Sequence, residues 1–207
     1  MTIEKDGFKF IIPLFLLGVV FIFIFWPIGV LLLIMAVAAA LFFREVHAET
    51  DFDDTQIVAP ASGRIIEIRE VTEPDYIKGP AIKVSIFMSI LDEHINYAPV
   101  TGEVAYLEHQ PGGFKKAYLD AASDGNEAQK IGFRNENSSW MMKQIAGVVA
   151  RRIVCRCQMG EHLRAGEKLG LIRFGSRVEL FFPPGTEFII TPGEHIKGGR
   201  TIIGRLS

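Results

Sequence analysis

The chain has 207 residues, enough for one membrane segment and one compact domain, and its 22 basic against 24 acidic side chains leave a formal net charge of −2. That balance offers no basic field for nucleic acid, which is not expected as a partner. Hydrophobic residues make up 49% of the chain and the mean hydropathy is +0.25, and the apolar excess is gathered at one end.

From Phe10 to Phe43 there is no charged side chain over 34 residues, too long for a secretory leader and for one ordinary span of about 20 residues. Phe25-Trp-Pro-Ile-Gly29 divides the run into arms 10–25 and 28–43, because proline with glycine breaks a helix and tryptophan favours the lipid–water interface. A hydrophobic helical hairpin over residues 1–44 is expected, with Lys9 and Arg44 on one side of the membrane. The competing arrangement is a single tilted helix kinked at the proline. The positive-inside rule assigns the charged side to the cytoplasm, so the expected location is the cell membrane with the remaining chain cytoplasmic.

Polar residues 45–55 read as a linker to a β-rich domain over 56–207. Candidate strands are Gln56–Ala59, Gly63–Arg69, Ala81–Phe87, Gly102–Leu107, Gly147–Cys157, Lys168–Phe174, Val178–Phe182 and Glu187–Ile190, separated by glycine turns. Short strands at close spacing indicate a sandwich or barrel. Helices are expected at Trp140–Ala146 and near Phe114–Ala122.

Two internal repeats punctuate this domain. Ala59-Pro-Ala-Ser-Gly63-Arg-Ile returns 39 residues later as Ala98-Pro-Val-Thr-Gly102-Glu-Val, and Gly160-Glu-His-Leu-Arg-Ala-Gly166 returns 33 residues later as Gly193-Glu-His-Ile-Lys-Gly-Gly199. Each is a turn followed by a strand, the grammar of lipoyl-like half-barrels. Such turns describe a scaffold and no chemistry. Cys155 and Cys157, two apart on one strand face, suit a disulfide poorly and are too few for structural zinc; they are expected to be reduced, and no metal site is expected.

Gly175-Ser176 is the one Gly-Ser dipeptide in the chain, and by itself a β-turn. Its context, Arg173-Phe-Gly-Ser-Arg-Val178, resembles the self-cleavage site of phosphatidylserine decarboxylases, particularly their short bacterial and archaeal branch. Phe87-Met-Ser-Ile-Leu-Asp-Glu-His94-Ile-Asn-Tyr-Ala-Pro-Val-Thr-Gly102 resembles that family's histidine segment. Gln110-Pro-Gly-Gly-Phe-Lys-Lys-Ala-Tyr-Leu-Asp120 with Asn126-Glu127 resembles its Pro-Gly-x-Phe block, and Gln144-Ile-Ala-Gly-Val-Val-Ala-Arg-Arg-Ile153 the stretch before the cleavage site. The N-terminal hairpin ending in Phe-Phe-Arg is also typical.

The resemblance implies that Ser176 attacks the Gly175 carbonyl, and that elimination and hydrolysis leave a pyruvoyl cofactor derived from Ser176. The products are a large subunit (1–175) and a small one (176–207) that stay together as a heterodimer. It further implies that the pyruvoyl group forms a Schiff base with the amine of phosphatidylserine and acts as electron sink while CO₂ leaves, giving phosphatidylethanolamine. His94 is the candidate for proton transfer; His47, His109, His162 and His195 have no comparable support, and the last two read as exposed turn residues. The chain departs from many relatives at Ser62, where they carry aspartate, and from some at Tyr97, where they carry a second histidine; in those relatives the pair assists self-cleavage. The alternatives are a catalytically impaired homologue and a non-catalytic membrane-tethered barrel. A lipoyl carrier would want a lysine at a hairpin tip, and a zinc peptidase a His-x-His cluster.

Overall fold

The structure, a computed structural model, describes residues 2–45, 51–113, 125–147, 153–172 and 176–206. The chain divides into two compact units, Met1–His47 and Ala48–Ser207.

The first unit is a helical hairpin. Strand β1 (Thr2–Ile3) leads into α1 (Phe8–Ile24), α2 (Trp26–Phe42) follows after a single non-helical residue, and β2 (Arg44–Glu45) returns to pair antiparallel with β1. At the break Phe25 adopts φ −153° and ψ 89°, and Pro27, which has no N–H to leave unsatisfied, sits in the first turn of α2. The helices run antiparallel and close together: a Cβ on Gly29 would stand 2.4 Å from the Ile22 nitrogen. The hairpin is therefore formed, and the single kinked helix is not. Lys5–Ile24 is long and apolar enough to cross a membrane, whereas α2 has 17 residues. Large apolar side chains stand exposed around both helices, Phe23 at 85% and Trp26 at 68% among them.

The second unit is built from antiparallel strands: β3 (Gln56–Val58), β4 (Gly63–Glu73), β5 (Gly79–Met88), β6 (Ile95–Tyr97), β7 (Gly102–Gln110), β8 (Ala128–Arg134), β9 (Ser139–Ile145), β10 (Ile153–Cys155), β11 (His162–Leu163), β12 (Lys168–Ile172), β13 (Ser176–Phe182), β14 (Glu187–Phe188), β15 (His195–Ile196) and β16 (Ile202–Arg205). An eight-stranded sheet in the order β11-β7-β8-β9-β13-β5-β4-β15 curls into a half-barrel, and two three-stranded sheets, β10-β12-β6 and β14-β16-β3, complete the unit. The chain is thus mainly β, 45% strand, with an apolar helix pair at its N-terminus, as its sequence led one to expect.

The repeats are a pseudo-twofold in the sheet. Ile196 pairs with Gly63 at the head of β4, and Leu163 with Gly102 at the head of β7. Backbone bonds follow suit: Gly193 N–H donates to Ile65 O at 2.7 Å and Gly160 N–H to Val104 O at 2.8 Å. Both glycines hold positive φ, +96° and +80°, a conformation that costs other residues energy. The side chains match too, since Gly198 N–H donates to Ser62 Oγ at 2.9 Å and Ala165 N–H to Thr101 Oγ1 at 3.1 Å.

Trp140–Ala146 is not a helix; most of it is β9, a correction with a clear cause. Every residue from Trp140 to Ile145 is buried, so polar–apolar alternation, the usual mark of a strand, is absent where both faces are covered. Trp140 lies parallel between Phe133 (centroids 5.9 Å apart) and Phe182 (6.2 Å) and anchors the core across β8, β9 and β13. The helix expected near Phe114–Ala122 lies outside the described residues. Cys155 and Cys157 are free thiols with their sulfurs 3.1 Å apart. Their shared hydrogen bond, reinforced by burial, pushes the Cys157 thiol up, and the same bond draws the Cys155 thiol down against the opposing effect of burial.

Candidate active site

The chain leaves the three-stranded sheet at Ile172 and enters the eight-stranded sheet at Ser176. Gly175 itself lies outside the described residues. Ser176 is not a surface turn residue: it is fully buried at the head of β13. It pairs with Met88 on β5, and its hydroxyl donates to the Met88 thioether at 3.3 Å, a weak acceptor. Beyond it β13 is held on both edges, Ser176–Phe182 by β5 and Arg177–Phe181 by β9.

Side chains alternate along β13. Val178, Leu180 and Phe182 join the core with Ser176 on their face, while Arg177 and Glu179 point to the other face. There Arg177 Nη2 donates to Ser85 Oγ at 2.9 Å and pairs with Glu179 at 2.9 Å and Glu67 at 3.4 Å, while Lys83 reaches Glu67 at 2.8 Å. Burial pushes the Glu67 carboxyl up, but the hydrogen bond and charge of Lys83, with Arg69 and Arg177, hold it below its ordinary value. This charge cluster clamps the backbone next to Ser176 from behind.

His94 follows the loop after β5 and is 2% exposed. Its Nδ1 lies 2.8 Å from the Asp92 carbonyl oxygen, which requires the proton on Nδ1 and leaves Nε2 as the basic nitrogen. Its own carbonyl accepts Ile172 N–H at 3.2 Å. Ser176 and His94 are therefore fastened to the two strand ends that flank residues 173–175, although among the described residues no hydrogen bond joins them directly.

The loop carrying His94 has a support that sequence reasoning missed. Asp92 Oδ2 accepts Ser89 N–H at 2.8 Å and Asp92 Oδ1 lies 2.9 Å from His195 Nε2. His195, half-exposed and read from its repeat as a plain turn residue, ties the β15 turn to the His94 loop. Its counterpart His162 stands opposite Glu103 instead, so the motif held no signal of the difference. Tyr97, at the second-histidine position, donates to Glu93 Oε1 at 2.6 Å, and Arg200 reaches the same carboxylate at 3.5 Å; Glu93 and Tyr97 are buried. Ser62 spends its oxygen on the Gly198 turn. Two further buried side chains were not singled out from sequence. Asn96 Oδ1 accepts Gln144 Nε2 at 2.7 Å, and Asn96 Nδ2 lies 3.8 Å from the Met88 sulfur. Among the described residues no group of three or more His, Cys, Asp or Glu side chains could hold a metal ion.

Comparison with known proteins bears on the family of the chain. Residues 38–204 match the profile of the family described as phosphatidylserine decarboxylase. A "phosphatidylserine decarboxylase proenzyme" of Symbiobacterium thermophilum is 38% identical over 205 residues, covering 99% of this chain and 95% of the relative. Proteins of the same description from Carboxydothermus hydrogenoformans (37% identical, 100% and 97% covered) and Syntrophus aciditrophicus (39%, 98% and 96%) are similar over an equal span. With most of the chain inside one family profile and relatives aligned from end to end, the chain belongs to the phosphatidylserine decarboxylase family of carboxy-lyases.

Proposed function

We propose that this proenzyme cuts itself between Gly175 and Ser176, converts Ser176 to a pyruvoyl group and uses it to decarboxylate phosphatidylserine to phosphatidylethanolamine. The observation that carries this reading is the setting of Ser176: a fully buried serine whose hydroxyl, among the described residues, meets a thioether alone, at the head of a strand held on both edges. A structural serine in such a place would be expected to satisfy a backbone group. A break before residue 176 leaves β13 paired with β5 and β9, so the new end stays fixed and the 176–207 fragment stays in the β unit.

The residues present fit the group. A pyruvoyl unit is no larger than the serine it replaces, and Met88, with Val178 on the same sheet face, makes an apolar wall that keeps water from a ketone. Held there, such a group would supply an electrophilic carbonyl for the headgroup amine and a sink for the electron pair left when CO₂ departs. The chain's own part is positional. The β13 ladder and the Arg177 cluster hold residue 176, while Asp92 fixes the ring of His94, with His195 bracing Asp92 in turn. His94 Nε2 first takes up a proton, giving the imidazolium, and then delivers it to the carbon that lost CO₂, the task of a general acid.

The hairpin supplies access to a lipid substrate. Its exposed apolar helices support anchoring in the cell membrane, with Lys9 and Arg44 on the cytoplasmic side. The test is Ser176→Ala, which should remain a single chain and form no ethanolamine lipid; cleavage or activity in that variant would overturn the reading.

A further inference from the structure

Gln144 shares a sheet face with Ser176. It stands opposite Val178 on the neighbouring strand, and Ser176 lies two residues before Val178. Directly opposed residues, and residues two apart, point to the same side, so Gln144 and Ser176 are diagonal neighbours with backbones about 7–8 Å apart. Asn96 reaches over from β6 and bridges Gln144 to Met88, the residue that also receives the Ser176 hydroxyl. All four side chains have no exposure to solvent.

The bond between the two amides leaves each of them unfinished. Gln144 Oε1 is buried with no donor, and the Asn96 amide N–H meets a thioether at 3.8 Å, the poorest acceptor a protein offers. Burying an acceptor without a partner costs its full desolvation, and natural proteins keep such groups chiefly where function needs them. One acceptor and one underused donor therefore wait beside residue 176. An amine approaching a carbonyl requires that complement: its N–H seeks an acceptor, and the carbonyl oxygen seeks a donor. A neutral amide also suits the task better than a carboxylate. It accepts from an uncharged amine without favouring the ammonium form, whose lone pair is occupied.

We propose that Asn96 and Gln144 bind the headgroup primary amine at residue 176, Gln144 Oε1 accepting its N–H and Asn96 Nδ2 donating to the ketone oxygen that the Ser176 α-carbon gains when its nitrogen is lost. This rests on the reading of Ser176 as the carbonyl-bearing residue.

The experiment uses the full chain as wild type, Gln144→Met, and the double variant Asn96→Leu with Gln144→Met, which removes the whole amide pair and leaves neither member unmatched. Each is assayed for cleavage by intact mass, for thermal midpoint, and for the rate at which borohydride links phosphatidylserine from mixed micelles to the 176–207 fragment. Both variants should cut, and the double variant should melt no lower than wild type. Trapping should slow about 10- to 100-fold in both, the loss of one or two hydrogen bonds to the amine. Trapping at the wild-type rate in the double variant overturns the proposal. So does failure of the double variant to fold or to cut, since the pair would then serve the scaffold or maturation. Wild type that never cuts, or traps lipid equally well as Ser176→Ala, would instead sink the underlying reading of Ser176.

Discussion

Ser62 and Tyr97 stand where the family resemblance implies an aspartate and a histidine in some relatives, and both side chains are committed to other partners. Ser62 accepts the Gly198 amide, as Thr101 accepts that of Ala165 in the other repeat, and Tyr97 donates to buried Glu93. His94 is fastened through its carbonyl to Ile172, the last described residue before the cleavage segment. If its task is proton transfer to the substrate, His94→Ala should still mature, and borohydride should still link lipid to its small fragment. CO₂ release should fall about 10²–10⁴-fold, the usual loss with a general acid. A variant that cannot cut would move His94 into maturation. Ser176 and His94 were legible in the sequence because each is the chemically distinctive residue of its motif. His195, Asn96 and Gln144 were not, because their meaning comes from partners 103 and 48 residues away, which only the folded sheet brings together.

The same limit operates on elements. Strand heads marked by the repeated Ser/Thr-Gly turns were readable to the residue, since β4 and β7 begin at Gly63 and Gly102 as expected. β9 was misread and β8 passed unnoticed, because central strands buried on both faces lose the alternation that betrays a strand. β13 shows what such burial entails, with an Arg, a Lys and two Glu carboxylates packed behind Ser176. Ion pairs of this kind stabilise only while intact. The lowered Glu67 value means that its contribution is present above the unfolded carboxyl value of about 4.3 and is lost as pH falls through the lower folded value. The thermal midpoint should therefore drop below about pH 4. Glu67→Gln should lower it at neutral pH, by about 1–2 kcal/mol of stability since Glu179 still pairs with both cations, and should flatten the acid slope. Melting curves from pH 3 to pH 7 in buffers of equal ionic strength would check this.

At the scale of the whole molecule the proposed function assigns attachment to the first unit and chemistry to the second. The β unit buries its own core, from Ile57 to Ile203, and so should fold without residues 1–43. The hairpin's exposed apolar surface is worth on the order of tens of kcal/mol in a bilayer at about 25 cal/mol per Å². A protein lacking residues 1–43 should keep its β-sheet circular dichroism but no longer float with phospholipid vesicles; flotation equal to that of the full chain would make another surface the anchor. The central claim, that Ser176 becomes the catalytic carbonyl by breaking the chain, is tested most directly by the intact mass of the purified protein under denaturing conditions. The account predicts two species, residues 1–175 and residues 176–207, the second blocked to N-terminal sequencing by its ketone. A single uncut chain that still decarboxylates phosphatidylserine would contradict it.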